Sequence, residues 1–124
     1  MIRIAPRSKY HAKRTTLDGI AFDSQAEAGR YAELRLLLRA GSIRHLELQP
    51  AFPLYATTTP GPADLRIGVY RADFAYEELT ETGGRWDRVV EDVKGIDTAL
   101  SRWKRRHVLA QYGIAVALIR RAAR

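Results

Sequence analysis

Trp86 to Lys94 constrains this chain more than any other stretch. Val89, Val90 and Val93 put apolar side chains on both faces of an extended segment, which predicts a strand inside a sheet rather than at its edge. The same nine residues carry Glu91, Asp92 and Lys94, charges that a central strand holds only when they are paired or put to use. The period-two pleat sets Asp92 and Lys94 on one face and Glu91 on the other. Asp73 lies 19 residues before Asp92, in Arg71-Ala72-Asp73-Phe74. It falls within a segment, Leu65 to Tyr76, whose alternation predicts one long strand. Bringing the two segments together gathers two carboxylates and an ammonium at strand ends.

The remaining segments supply a frame for that strand pair. Thr15-Thr16-Leu17 and Ile20-Ala21-Phe22 flank Asp18-Gly19, a hairpin signal because a type I′ turn needs positive φ at both central positions. Ser24 with Glu27 three residues on reads as a capping box. It opens a helix running to about Ala40 and stopped by Gly41, with Tyr31, Leu34 and Leu38 as its inner stripe. Ile43 to Leu48 and Phe52 to Ala56 read as short strands broken at Gln49-Pro50, and Thr57 to Pro62 as a loop. Thr98 to Tyr112 reads as a second helix ended by Gly113. Ile114 to Ile119 closes as a buried strand. This order predicts an α/β fold with a mixed sheet, in one domain over residues 14–120. A basic arm, 1–13, precedes it and a basic tail, 121–124, follows.

Charge position says more than charge total. The 124 residues hold 21 Lys and Arg against 14 Asp and Glu, a formal net charge of +7. All the acids lie between Asp18 and Asp97, so both ends are purely basic. That distribution points to a polyanion, best a nucleic acid. Arg7, Lys9, Lys13 and Arg14 at one end are candidate phosphate contacts. So are Arg102, Arg105 and Arg106, which project together from the second helix. Trp103 between them reads as core rather than as a stacking platform. The absence of cysteine excludes disulfides and thiolate zinc sites. No apolar run approaches a membrane span, and Met1-Ile2-Arg3-Ile4 is too short and charged for a signal peptide. A cytoplasmic protein is expected.

Magnesium takes hard oxygen ligands and commonly uses one or two carboxylates, completing its shell with water and substrate phosphate. Asp73 and Asp92 supply that minimum, and the Val93 backbone carbonyl could add a ligand. Lys94 would position and activate water and stabilise charge on a pentacoordinate phosphorus. The competing reading is a structural salt bridge of these aspartates with Lys94 or Arg71. Glu91 faces the other way and is a secondary candidate, more naturally solvated or paired with a helix. Glu27 is either the helix cap alone or, sharing the inward stripe, a third acid at the site. Lys104, on the side of Leu100 and Val108, could reach the site as well. His11, His45 and His107 show no metal-ligand spacing.

In this order the motifs carry a family likeness. They are Lys9-Tyr10 with Asp18-Gly19-Ile20; Phe22-Asp23-Ser24 with Glu27 and Tyr31; Leu48-Gln49-Pro50; Tyr70 with Ala72-Asp73-Phe74; and Val90-Glu91-Asp92-Val93-Lys94-Gly95. The chain resembles the PD-(D/E)XK nuclease superfamily, and within it a family of small phage and prophage proteins of uncertain function. The layout is also similar to phage endonuclease I-type Holliday junction resolvases. The resemblance implies a restriction-endonuclease-like core, a mixed central sheet flanked by helices. It implies Mg²⁺ or Mn²⁺ at Asp73 and Asp92, Glu27 as a helix-borne acid, and Lys104 as a helix lysine found in some of these enzymes. Ala72 stands where the superfamily's name has proline, a residue that shapes backbone and ligates nothing.

The expected function is therefore metal-dependent hydrolysis of DNA phosphodiester bonds, selective for branched or junction DNA. A homodimer would supply two active sites, and a phage-encoded protein would act in the bacterial host cytoplasm. The alternative is a basic nucleic-acid-binding protein that keeps the nuclease fold without cleavage.

Overall fold

The computed structural model describes residues 14–57, 61 and 64–120. The basic arm with Arg7, Lys9 and Lys13, the tail 121–124 and most of the 57–62 loop lie outside the described residues. The chain opens on a hairpin of β1 (Thr15–Leu17) and β2 (Ile20–Phe22). Asp18 and Gly19 take φ of 53° and 75°, the positive pair that a type I′ turn demands.

Helix α1 (Gln25–Arg39) follows, with Ser24 Oγ accepting the Glu27 N–H at 3.1 Å. At the other end Gly41 adopts φ 77°, and the Gly41 and Ser42 N–H groups return to Leu38 and Leu37 carbonyls, ending the helix in a left-handed cap. Ala28, Tyr31 and Leu34 form the buried stripe, with Leu38 packed beside it. Because Ser24 satisfies one otherwise orphaned N–H, Ser24→Ala is expected to cost about 1 kcal/mol. The midpoint of urea unfolding should fall with m unchanged.

Four strands make the central sheet in the order β3 (Ile43–Leu48), β6 (Phe74–Leu79), β7 (Trp86–Lys94), β8 (Ala117–Arg120). The first three pair antiparallel, and β7 pairs with β8 parallel, so the sheet is mixed. β7 is interior, as its apolar faces require. The last strand differs from expectation. It starts only at Ala117 and is a partly exposed edge strand, while Ile114 and Val116 pack into the core before it begins.

β4 (Ala51–Ala56) and β5 (Leu65–Arg71) form a separate two-stranded ribbon. The single long strand expected over Leu65 to Tyr76 is thus two, broken at Ala72-Asp73. The cause lies across the ribbon. Gln49 takes φ 53° and Pro50 has no N–H to donate, so the ladder cannot run straight through. Two bonds carry the pairing around the bend, Gln49 N–H to the Asp73 carbonyl at 2.8 Å and Ala72 N–H to the Pro50 carbonyl at 3.1 Å.

Helix α2 (Ala99–Tyr112) is capped by Thr98, whose Oγ1 accepts the Ser101 N–H, and ends at Gly113 with φ 71°. It lies on the β4–β5 ribbon and covers part of that ribbon's backbone. Gln111 accepts the Tyr55 N–H and donates to the Pro53 carbonyl, Tyr112 donates to the same carbonyl, and His107 Nε2 meets the Tyr55 carbonyl. Side chains thereby occupy polar groups that would otherwise make β4 an open edge.

Two cores result, one on each face of the sheet. Phe22, Tyr31, Leu34, Ile43, Phe74, Tyr76 and Val93 join α1 and the hairpin to one face. Phe52, Leu54, Tyr70, Ala72, Ala75, Val90 and Val108 join α2 and the ribbon to the other. The chain is an α/β domain with a helix on either side of a mixed sheet. Among the described residues, no helix is long and apolar enough to cross a membrane.

Candidate functional site

The bend in the ribbon sets the position of Asp73. Its N–H bonds the Glu91 carbonyl at 3.2 Å, and its Oδ2 accepts the Val93 N–H at 2.7 Å. The carboxyl thus closes the gap between the broken ribbon and the end of β7. In a strand the N–H and C=O of one residue leave on the same edge, so the Val93 carbonyl lies on the edge that Asp73 approaches. The Val93 side chain packs on the α1 side, away from Asp92 and Lys94, as the pleat predicts.

Asp92 is buried. Its Oδ2 is 3.3 Å from Lys94 Nζ and accepts the Tyr70 hydroxyl. Lys94 itself retains partial exposure, so its ammonium can turn toward a ligand without dragging a buried charge into water. Glu27 completes the group from the first turn of α1. Its backbone serves the helix cap while its carboxyl faces the aspartates, so the two readings of this residue hold together.

The electrostatics follow from crowding acids in a dry place. Burial, then the neighbouring Asp23 and Asp92 charges, push Glu27 up from 4.5 to about 7. Burial, then Glu27 and Asp92, push Asp73 up to about 8. One lysine does not balance three carboxylates. Near neutrality the group holds protons that a hard cation would displace, and its donors are all oxygen, which suits Mg²⁺ or Mn²⁺. As it stands the geometry is not a finished shell. Among the described residues no three Asp, Glu, His or Cys side chains converge ready to coordinate. One oxygen of Asp73 is engaged by Val93 N–H and one of Asp92 by Tyr70 and Lys94.

Glu91 has a different task. It is 1% exposed and points away from Asp92 toward α1. There Arg30 grips it with two bonds, Nε to Oε1 at 2.6 Å and Nη2 to Oε2 at 3.0 Å, and Tyr76 donates a third at 2.8 Å. It is paired with a helix and not solvated, and its oxygens are committed to Arg30 and Tyr76. Since Arg30 is one turn beyond Glu27, this pair fixes the start of α1 against β7 beside the site.

The second helix departs furthest from expectation. Arg105 is not an open phosphate contact. Its guanidinium turns inward to Asp97 Oδ2 at 2.7 Å and Ser101 Oγ at 2.7 Å, and the ion pair holds Asp97 below the usual carboxylate range. Arg105 also lies beside the Tyr70 hydroxyl. Burial and Asp92 raise the pKa of that hydroxyl, so Tyr70 stays a donor to Asp92. Lys104 does not reach the carboxylates; its ammonium donates to the Val69 carbonyl at 3.0 Å. Trp103, expected in the core, is 73% exposed, and Leu100 is exposed as well. The reason is the narrow buried stripe of α2, reduced to Val108. Arg14, Arg102 and Arg106 are exposed, as phosphate contacts require. Arg102 also donates to the Asp97 carbonyl at 2.7 Å.

Spacing alone predicts no role for Tyr70 or Arg30 and no inward turn of Arg105. Tyr70 and Ala72 share the inner parity of their segment, which placed the ring but not its hydroxyl partner. Arg30 was signalled by Glu91 itself, a carboxylate in a central strand that needs a cation from the adjoining helix.

An α/β domain with a carboxylate-rich site at a bent strand is the class these features define. The pattern of the protein family described as "Protein of unknown function (DUF1064)" matches residues 7–123, and the chain belongs to that family. No curated protein and no solved structure matches it.

Proposed function

We propose that this chain is a metal-dependent deoxyribonuclease built on a restriction-endonuclease-like core. The observation that carries this reading is the electrostatic crowding of Glu27, Asp73 and Asp92, with Lys94 paired to Asp92, about the end of a central strand. That acidic site sits in a chain of net charge +7. A basic surface draws in a polyanion, while the acidic site within it suits a cation rather than the phosphate alone. Asp73 and Asp92 would hold Mg²⁺ or Mn²⁺, with the Val93 carbonyl as a further ligand. Such an ion supplies Lewis-acid polarisation of the phosphoryl oxygen.

The residues divide the remaining work. Lys94 swings from Asp92 to the developing negative charge on phosphorus. Glu27, with a pKa near 7, is matched to accept a proton from water at neutral pH. Water attacks in line, a new O–P bond forms, the opposite P–O bond breaks, and the leaving sugar oxygen takes up a proton. Tyr70, backed by Arg105, keeps Asp92 aimed. Arg14, Arg102 and Arg106 hold flanking phosphates. Branched or junction DNA is the favoured substrate, and a twofold dimer would place two sites on one junction.

The test is cleavage of linear, single-stranded, flapped and four-way DNAs with Mn²⁺, comparing wild type with Lys94→Met. The variant is expected to lose about 10²-fold or more in cleavage while retaining DNA affinity. No cleavage of any substrate by wild-type protein that binds DNA would instead support the binding-only alternative.

A further inference from the structure

Helix α2 turns two different faces to its surroundings. Its inner side carries Val108, Lys104 and Arg105, and through Arg105 and Tyr70 it supports Asp92. Its outer side carries Trp103, with Arg102 just before it and Arg106 one turn after it. Trp103, Arg106, His107 and Ala110 line a shallow open depression. Trp103 is 73% exposed there. Ala99 to Tyr112 contains no acid, and no described residue forms an ion pair with Arg102 or Arg106.

A large aromatic surface in water is unfavourable unless a partner covers it. Charge decides which partner. A second copy docking through this patch would bring Arg102 and Arg106 against their own equivalents across the twofold axis, where like charges repel. A polyanion with a flat apolar face has the opposite balance. Unpaired nucleobases have that character, since stacking on an indole is sequence-tolerant and needs a base out of its duplex.

We infer that the outer face of α2 is a platform for single-stranded nucleic acid. A base stacks on Trp103, and the adjoining phosphates meet Arg102 and Arg106. This rests on the nucleic-acid reading above and gives it a substrate feature, an unpaired stretch in the bound nucleic acid. The platform needs no metal, so it is testable apart from cleavage.

Trp86 is the only other tryptophan, and it is half-buried under the Arg44 guanidinium at 4.3 Å. Trp86→Phe therefore leaves Trp103 as the single tryptophan, excited selectively above the tyrosine absorption band. This full-length variant is titrated with a twelve-residue oligothymidylate in EDTA. Saturable quenching of Trp103 is expected, with a duplex of equal length quenching much less. Trp103→Ala should weaken affinity about 10-fold, and Arg106→Ala should reduce the salt slope by about 0.7. Both residues are exposed, so unchanged circular dichroism confirms that the variants fold. Three outcomes would overturn the inference: no binding of the oligonucleotide, binding that leaves Trp103 emission and the Trp103→Ala affinity unchanged, or a protein-concentration-dependent dimer that Trp103→Ala dissolves. Loss of cleavage in Asp73→Asn with quenching intact would separate the platform from the catalytic site.

Discussion

Arg30→Ala is expected to destabilise the protein by about 3–5 kcal/mol, because it leaves Glu91 charged in a dry interior with only Tyr76 as donor. The two bonds of 2.6 and 3.0 Å are the main compensation for that burial. Neither group can relax cheaply into water, since Glu91 lies beneath α1 in the middle of a strand paired on both sides. The same reasoning predicts that removing both charges does less harm. Arg30→Met with Glu91→Leu should recover most of the loss, as paired apolar replacement commonly does for buried ion pairs. Urea unfolding of the four species gives the coupling directly. A loss below about 1 kcal/mol in Arg30→Ala would show that water reaches Glu91. A second consequence falls on the site. Arg30 anchors the turn of α1 that carries Glu27, so at temperatures where the variant is folded, cleavage should fall more than DNA affinity.

Asp73→Asn is expected to abolish cleavage and to stabilise the fold at alkaline pH. Asparagine keeps the geometry, since its oxygen can accept the Val93 N–H and its amide can donate toward Asp92. It removes the charge that burial, Glu27 and Asp92 all oppose. The sign follows from the protons. Glu27 and Asp73 titrate near 4 in an unfolded chain and at about 7 and about 8 in the fold. Between those limits the folded state holds protons that the unfolded state has released. Stability is therefore full at acid pH and falls as pH rises through about 8. At pH 9 the asparagine variant should exceed wild type by on the order of 2–4 kcal/mol, after allowing for relaxation around the site. At pH 4 the two should converge. A thermal melting series from pH 4 to 9 reads the crossover, and parallel curves for the two proteins would refute the raised pKa of Asp73. Cation binding should follow the opposite course and strengthen over the same range, because a bound ion displaces the same protons.

How much of this was legible beforehand depended on whether local or distant contacts decide the feature. The hairpin turn at Asp18-Gly19, the cap at Ser24, the stop signals at Gly41 and Gly113 and the full extent of β7 are set by neighbours in the chain. All of them stand where the spacing predicts. The alternation that separates Glu91 from Asp92 was equally local, and it assigned the two acids to opposite faces. Trp103 failed for a tertiary reason. Its apolar ring reads as core, but α2 turns so that Val108 alone is fully buried and the indole faces solvent. Arg105 failed for the same reason in reverse, because Asp97 is drawn to its inward side.

The sequence by itself determined the hairpin, both helices, the central strand and the identities of Glu27, Asp73, Asp92 and Lys94 as candidates, since turn chemistry, capping and pleat parity act over a few residues. Only the tertiary structure decided how those groups meet. The left-handed Gln49 and the imino Pro50 bend one strand of the ribbon while Asp73 sits opposite them on the other, and no local pattern reports that contact. The pairing of Glu91 with Arg30 and the raised protons of Glu27 and Asp73 also arise from distance and burial, which exist only once the two faces of the sheet have been covered.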